Sequence, residues 1–270
     1  MCGLSGTLYG SKARQPEERS YLKWLFMYLL LLSEKRGPYA TGIAWLKKDG
    51  SHNIFKRPMR AVEFVKEKQF LEVISQVDDN TTWLAGHTRW PTQGSHLNNA
   101  NNHPLVSEAA IAGGANTQTD VCLLTHNGHI ENASMLFRAL GLRRETQVDS
   151  EILLRLAERN LGKDGIDPDG LAADLAHCRG RMSFVVAATN DPTRIILVKG
   201  NQPLEFRYSE RHQALLYASE AEFLDEALSG EDGWVEWRIP PMRMVVVRTD
   251  NLADPVIKPF HFGGLRADRR

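Results

Sequence analysis

The chain opens "MCGLSG", which places Cys2 directly behind the start methionine. A thiol has a reference pKa of about 8.5 and is a nucleophile only as its thiolate. As the first residue of a mature chain, Cys2 would stand beside an α-amine of pKa about 7.7–8.0, which could act as its base. Within an ordinary first strand it would be one more small residue. Three further clusters concentrate residues that can do chemistry: "RGPYATG" (36–42), "GHTRWPTQG" (86–94) with "NNHP" (101–104) close behind, and "HNGHIEN" (126–132) followed by "VDSE" (148–151). Arginines such as Arg36 and Arg89 present planar guanidinium forks that suit carboxylates. Each cluster also has a plain structural explanation. Asn127–Gly128 is a favoured hairpin dipeptide. Asp149 could cap the helix that follows it. Arg89 could pair with a surface carboxylate, which would be worth little. No two of His87, His103, His126 and His129 have the spacing of a helical H-E-x-x-H site, so no metal site is expected.

The elements that must position these residues follow from periodicity. Short segments rich in β-branched or aromatic residues recur, among them "CGLSGTLYG", "TGIAWLKK", "TTWLAGHTRW", "VCLLTHNG", "SFVVAATN", "RIILVKG" and "RMVVVRTD". "KDGS", "NDPT" and "ERHQ" read as the turns between them. Helical patterns lie between the strand groups: 21–35, one helix over "RAVEFVKEKQFLEVISQV" with Val62, Val65, Phe70 and Ile74 among its apolar positions, "ENASMLFRALG" ending at Gly141, and "SEILLRLAERNLG" ending at Gly162. "GKDGIDPDG" (162–170) reads as a turn between helices. Grouped strands with helices between the groups predict largely antiparallel sheets with helices on their outer faces, not strict βαβ alternation.

Composition bounds the function. The chain has 270 residues, and Lys plus Arg (33) balances Asp plus Glu (33), so no general grip on nucleic acid is expected. The apolar run Trp24–Leu32 is far shorter than the roughly 20 residues of a membrane span and reads as a buried helix. The first residues lack a basic-then-apolar pattern, so no signal peptide is expected. Three cysteines, Cys2, Cys122 and Cys178, make no disulfide framework and fit a reducing, cytoplasmic setting. The latter two read as buried small hydrophobes.

Taken together and in order, the clusters resemble the class II glutamine amidotransferases, and within them the glutaminase domain of glucosamine-6-phosphate synthase. The stretches that carry the likeness are "MCGLSG", "RGPYATGIA", "AGHTRWPTQG", "NNHPL", "LTHNGHIEN", "VDSEILLRL", "GRMSFVVAATND" and "LLYASE". The resemblance implies an α+β fold: the four-layer αββα sandwich of N-terminal-nucleophile hydrolases, mostly antiparallel, over residues 1–262, with 263–270 as a solvated tail. It implies removal of Met1 and attack by the Cys2 thiolate on the side-chain amide of L-glutamine, giving ammonia and a γ-glutamyl thioester that water hydrolyses to glutamate. Asn127 (side-chain amide) and Gly128 (backbone N–H) would stabilise the oxyanion. Arg89, supported by Thr92, would receive the α-carboxylate and Asp149 the α-amino group. Trp90 would cover the site, and Arg36 with Gly37 would shape the floor beneath Cys2. His103 would be structural, and the small residues at 3, 5 and 6 would leave room around the new terminus. No cofactor is implied.

Two positions depart from the family pattern: Tyr39 replaces a usual acid, and Gln93 a histidine. The sugar-isomerase part of a full synthase has no counterpart in these residues. The expected partner is therefore a separate ammonia-accepting synthase. A hydrolase of amide or γ-glutamyl bonds without transfer, and an inactive regulatory or binding subunit, are the alternatives.

Overall fold

Period-two alternation along the strands decides which side chains share a face. In the computed structural model, which describes residues 1–109 and 120–264, this alternation builds two stacked sheets. The chain runs through β1 (Gly3–Tyr9), α1 (Pro16–Ser33), a 3-10 turn at Glu34–Arg36, β2 (Ala40–Lys47), β3 (His52–Arg57), α2 (Ala61–Phe64), α3 (Lys68–Ser75) and β4 (Thr81–Arg89). Then come β5 (Leu105–Ala109), β6 (Asp120–Ile130), α4 (Ala133–Ala139), α5 (Glu151–Arg159), the small pair β7 (Leu161–Gly162) and β8 (Gly165–Ile166), α6 (Pro168–Leu175), β9 (Arg179–Ala188) and β10 (Arg194–Lys199). The last part holds β11 (Glu205–Ser209), β12 (Ala214–Ala218), α7 (Ala221–Ala227), β13 (Val235–Glu236), β14 (Arg243–Arg248), β15 (Asn251–Pro259) and β16 (Gly263–Gly264).

The first sheet has the order β13-β11-β12-β1-β4-β2-β3 and the second β15-β14-β10-β9-β6-β5, with β16 alongside β9. All pairings are antiparallel except β16 with β9. Leu4, Leu8, Trp83, Ala85, Leu123, Val185, Leu197 and Leu215 fill the layer between the sheets. Leu22, Phe26, Leu29, Ile43, Phe64, Phe70 and Phe223 pack α1, α2, α3 and α7 on the outer face of the first sheet. Cys122, Leu124, Ile152, Leu156, Leu171, Phe184 and Val186 pack α5 and α6 on the second. Helix, sheet, sheet, helix is the four-layer α+β sandwich expected above. Each fully buried aliphatic or aromatic side chain contributes about 1.5–3 kcal/mol.

The apolar run lies within α1, which starts at Pro16 in its first turn and buries Leu22, Leu25, Phe26, Leu29, Leu30 and Leu32. Among the described residues no helix is long and apolar enough to cross a membrane.

Several local expectations are corrected. Residues 60–77 form two helices, broken at 65–67, and bury Ala61, Phe64, Phe70 and Val73 while Val62 is exposed. Packing on Phe55 and the β2–β3 ribbon outweighs a single continuous period. The helix expected to reach Gly162 stops at Arg159, because Leu161–Gly162 pair with Gly165–Ile166. The 162–170 stretch thus holds a small β pair and then the start of α6, where the Asp167 carboxylate accepts from the N–H groups of Asp169 and Gly170. Gly263 and Gly264 pair with Arg179 and Gly180, so the sheet continues into the expected tail; 265–270 lie outside the described residues. The small residues of β1 leave no open room. A Cβ on Gly3 would stand 2.5 Å from Thr88 Oγ1, and one on Gly6 would enter the Tyr217 ring. They let β1 pack closely against its neighbours.

Candidate active site

Parity places the site. In β6 the inter-sheet face carries Val121 and Leu123, so Asn127 and His129 point to the same layer. By the same count β4 directs Trp83, Ala85, His87 and Arg89 inward, and β9 directs Val185, Ser183 and Arg181 inward. Cys2, two residues before Leu4, has the parity of the β1 core face. The apolar inter-sheet core therefore becomes polar at one end, where Cys2, Arg89 and Asn127 converge from both sheets.

Cys2 is buried, and its thiol donates to the Trp90 carbonyl at 3.6 Å. Burial pushes the thiol above its ordinary pKa; the Asp149 charge acts in the same direction and Arg89 against it. The resting thiol is therefore protonated at neutral pH and needs a base. The Met1 amine beside it is pushed below its ordinary value, chiefly by burial.

Arg36 sits on the 3-10 turn that ends α1. Its Nε donates to the Cys2 carbonyl at 2.8 Å, and its Nη1 pairs with Glu220. Gly37 is required beside it, since a Cβ there would lie 2.4 Å from the Arg89 carbonyl carbon and 2.6 Å from the Trp90 nitrogen. Arg89 closes β4 with its guanidinium turned into the protein. It donates to Asn102 Oδ1 (2.8 Å) and to the carbonyls of Gln93 (2.7 Å) and Gly94 (2.9 Å), so it shapes the loop that carries Trp90 and Thr92. Trp90 is 45% exposed and meets the Tyr39 ring edge-on at 5.2 Å. The two departures from the family pattern both lie here: Tyr39 braces Trp90, and Gln93 serves Arg89 through its backbone.

Asn127–Gly128 makes no turn. Both residues lie within β6, opposite Ser183 and Met182. Asn127 is fully buried, and neither Nδ2 nor Oδ1 has a hydrogen-bond partner. Gly128 adopts φ +151°, and a Cβ there would sit 2.0 Å from the Arg181 carbonyl oxygen. Asp149 does not cap α5, whose N-cap residue is Ser150. Its Oδ2 instead accepts the Ile130 N–H at 2.6 Å and lies 3.3 Å from His129 Nδ1. Burial favours the neutral acid, but His129, His126 and the Ile130 N–H outweigh it and hold the carboxyl below its ordinary pKa.

A histidine layer supports this arrangement. His87 Nε2 lies 3.0 Å from the His126 carbonyl, and its ring stacks on His103 at 4.3 Å. Burial lowers His87 to about 3 and His126 to about 4, and His103 well below its ordinary value. All three are neutral at pH 7, and a carbonyl only accepts, so His87 carries its proton on Nε2 and ties β4 to β6. Among the described residues no group of three or more His, Cys, Asp or Glu side chains could hold a metal ion.

A cavity of about 240 Å³ opens at this end, lined by Cys2, Trp90, Thr92 and Gly128. Arg89, Asn127 and Asp149 are buried and do not line it, and Arg36 donates to the Cys2 carbonyl.

A family model described as a glutamine amidotransferase domain matches residues 112–226. Glutamine–fructose-6-phosphate aminotransferase (isomerizing) of Pyrococcus horikoshii is 30% identical over 241 residues, covering 85% of this chain and 36% of its own length. The chain belongs to the class II glutamine amidotransferases. 7-Cyano-7-deazaguanine synthase of Saccharolobus solfataricus is 25% identical over 227 residues, covering 83% of this amidotransferase chain and 44% of its own length. The amidotransferase chain thus spans less than half the length of these two curated relatives. Among solved structures, glutamine phosphoribosylpyrophosphate amidotransferase from B. subtilis, complexed with ADP and GMP, shares the fold with a TM-score of 0.69 at 22% identity, over 96% of this chain and 49% of that one.

Four further residues, outside the roles that the family motifs imply, line the cavity of this amidotransferase: His129, Glu131, Arg181 and Gln202. His129 and Glu131 stand inside "HNGHIEN", and inward parity on β6 was the available signal for His129. Arg181 faces His129 across β6–β9. Gln202 lies in the turn "GNQP", where one sequence carries no signal for it.

Proposed function

We propose that this domain is a glutaminase that releases ammonia from L-glutamine through a covalent intermediate on Cys2. The reading rests on one observation above all: Cys2 from the first sheet and Gly128 from the second line the same small cavity. With Met1 removed, the freed α-amine of Cys2 takes the thiol proton. This answers the raised thiol pKa with a base on the same residue. The thiolate attacks the γ-carboxamide carbon, and the oxyanion is met by Asn127 Nδ2 and the Gly128 N–H. Losing one such donor typically raises the barrier by about 2.7–4 kcal/mol. The proton returns to the departing nitrogen, the C–N bond breaks, ammonia leaves, and a γ-glutamyl thioester remains. Water adds to the thioester carbon, and glutamate departs with the thiol restored. Asp149, held ionised, pairs with the α-ammonium. Arg89 supplies positive potential for the α-carboxylate and orders the loop bearing Thr92. Trp90 closes over the site and excludes water. Arg36 fixes the backbone of Cys2 from below. No cofactor enters these steps. The ammonia passes to a separate synthase that supplies the acceptor.

Intact mass and activity test this reading together. The purified protein should lack Met1 and convert glutamine to glutamate and ammonia, and Cys2→Ala should abolish turnover. Retained Met1 with no turnover, or undiminished activity in Cys2→Ala, would refute the nucleophile assignment.

A further inference from the structure

The turn after β10 carries a polar side chain that the steps above leave without a task. Gln202 lines the Cys2 cavity and is 8% exposed. Its Nε2 donates to the Asn201 carbonyl at 3.2 Å. A carbonyl can only accept, so the amide orientation is fixed, and Oε1 is the free end. That oxygen is buried and has no partner in the protein. A buried acceptor left unpaired is costly, so a donor from whatever fills the cavity would be favoured there.

The surroundings say which donor. The turn is tied to β9 at Ser183: the Ser183 hydroxyl donates to the Gln202 carbonyl at 2.6 Å and accepts the Gly200 N–H at 3.0 Å. Asn201 adds Oδ1 to the Met182 N–H (3.0 Å) and Nδ2 to the Gly180 carbonyl (3.0 Å). A Cβ on Gly200 would lie 2.1 Å from the Met182 carbonyl oxygen, so the turn hugs the strand. Ser183 and Met182 are the cross-strand partners of Asn127 and Gly128. The turn bearing Gln202 is therefore anchored directly behind the pair assigned to the γ-carbonyl, whereas Asp149, assigned to the α-ammonium, is tied to Ile130 farther along β6. The remaining substrate donors are the two N–H bonds of the carboxamide.

We infer that Gln202 is a specificity-determining residue of this site, its Oε1 accepting an N–H of the substrate γ-carboxamide. This rests on the glutaminase reading above. The contact orients the amide with its carbonyl towards Asn127 and Gly128. It also selects an amide over a free γ-carboxylate, which would bring an anionic oxygen against Oε1.

Two substrates test it in the full-length protein with Met1 removed. L-Glutamine has the carboxamide N–H bonds. The γ-methyl ester of L-glutamate acylates the same thiol with methanol as leaving group and has none. Gln202→Met keeps the length of the side chain and removes the acceptor. One neutral hydrogen bond corresponds to about a five- to tenfold effect. The ratio of kcat/KM for glutamine over kcat/KM for the ester should fall by about that factor in Gln202→Met. An unchanged ratio, whether both substrates slow together or neither does, overturns the assignment while leaving the glutaminase reading intact. No turnover of either substrate by the unsubstituted protein overturns both. Because each variant is its own reference through the ester, partial misfolding cannot imitate the expected result.

Discussion

Replacing Asp149 by Asn separates charge from scaffold at the proposed α-ammonium site. Asp149 is 2% exposed and accepts the Ile130 N–H at 2.6 Å. An Asn side chain keeps an oxygen for that bond, so β6 and the start of α5 should stay in place. What disappears is the negative charge. Two unit charges at about 4 Å attract by about 4 kcal/mol at an effective dielectric constant near 20, before desolvation is subtracted. Hydrogen bonds to charged groups measured by mutation contribute about 1.5–3 kcal/mol. At about 1.36 kcal/mol per factor of ten, the expected loss in kcat/KM for glutamine is about 10- to 150-fold, carried mostly by KM. The assay is glutamate or ammonia release, with 4-carbamoylbutanoate as the comparison substrate. That compound is glutamine without its α-amino group, so its kcat/KM should hardly respond to Asp149→Asn. A second readout comes from the thiol. Asp149 helps to raise the Cys2 pKa, so Asp149→Asn should shift the pH profile of Cys2 alkylation to lower pH. An unchanged KM for glutamine, or equal losses on both substrates, would refute the amino-group assignment.

The remaining predictions concern the strand that carries the oxyanion donors and the acid limb of stability. Gly128→Ala adds a Cβ 2.0 Å from the Arg181 carbonyl oxygen at φ +151°, combining backbone strain of about 1–3 kcal/mol with overpacking of similar size; the urea midpoint should drop markedly, and an unchanged midpoint would count against the geometry. The Asp149 carboxyl is held below its ordinary pKa, so its stabilisation is complete above an unfolded value of about 3.9 and is lost as pH falls through the lower folded value. Urea unfolding between pH 2 and 6 should therefore show a flatter acid limb in Asp149→Asn than in the unsubstituted protein, and identical limbs would contradict it.

What the sequence makes legible is uneven, for physical reasons. Runs such as "VCLLTHNG" and "SFVVAATN" announce strands through β-branched and apolar residues, and the two layers of helix follow from where the strands pause. The break at 65–67 is invisible in a window of apolar residues, because Val62 and Val65 fit a helical period that the tertiary packing does not use. The Asn127–Gly128 pair reads locally as a hairpin turn. Only long-range pairing with Ser183 and Met182 keeps it extended. The clusters around Cys2, Arg89 and Asp149 could be singled out by residue type. The internal work of Arg89 on the 93–94 carbonyls could not, because backbone acceptors leave no mark on residue identity. Glu220, which pairs with Arg36, and Gln202 are hidden for a related reason: each lies far along the chain from the residue it serves.

Parity explains why the site lies where it does. On β1, β4, β6 and β9 the same inward rows that bury Leu4, Trp83, Leu123 and Val185 continue to Cys2, His87, Arg89, Asn127 and Ser183. No separate framework is needed to bring them together, since sheet stacking that stabilises the core also fixes the distance between the thiol and the β6 backbone. The exception is Gly128, whose parity belongs to the outer face but which lines the cavity, and it is there that φ reaches +151°. The strand departs from regular geometry at the one residue whose N–H is assigned to the oxyanion. Polar groups in such a layer must be paired or stay costly. His87 Nε2 and the Arg89 guanidinium are paired within the protein, whereas His87 Nδ1, both polar atoms of Asn127 and the Oε1 of Gln202 are not. In the proposed reading a bound carboxamide would satisfy the Asn127 and Gln202 atoms, and partners fixed before the reaction lower a barrier instead of only tightening binding.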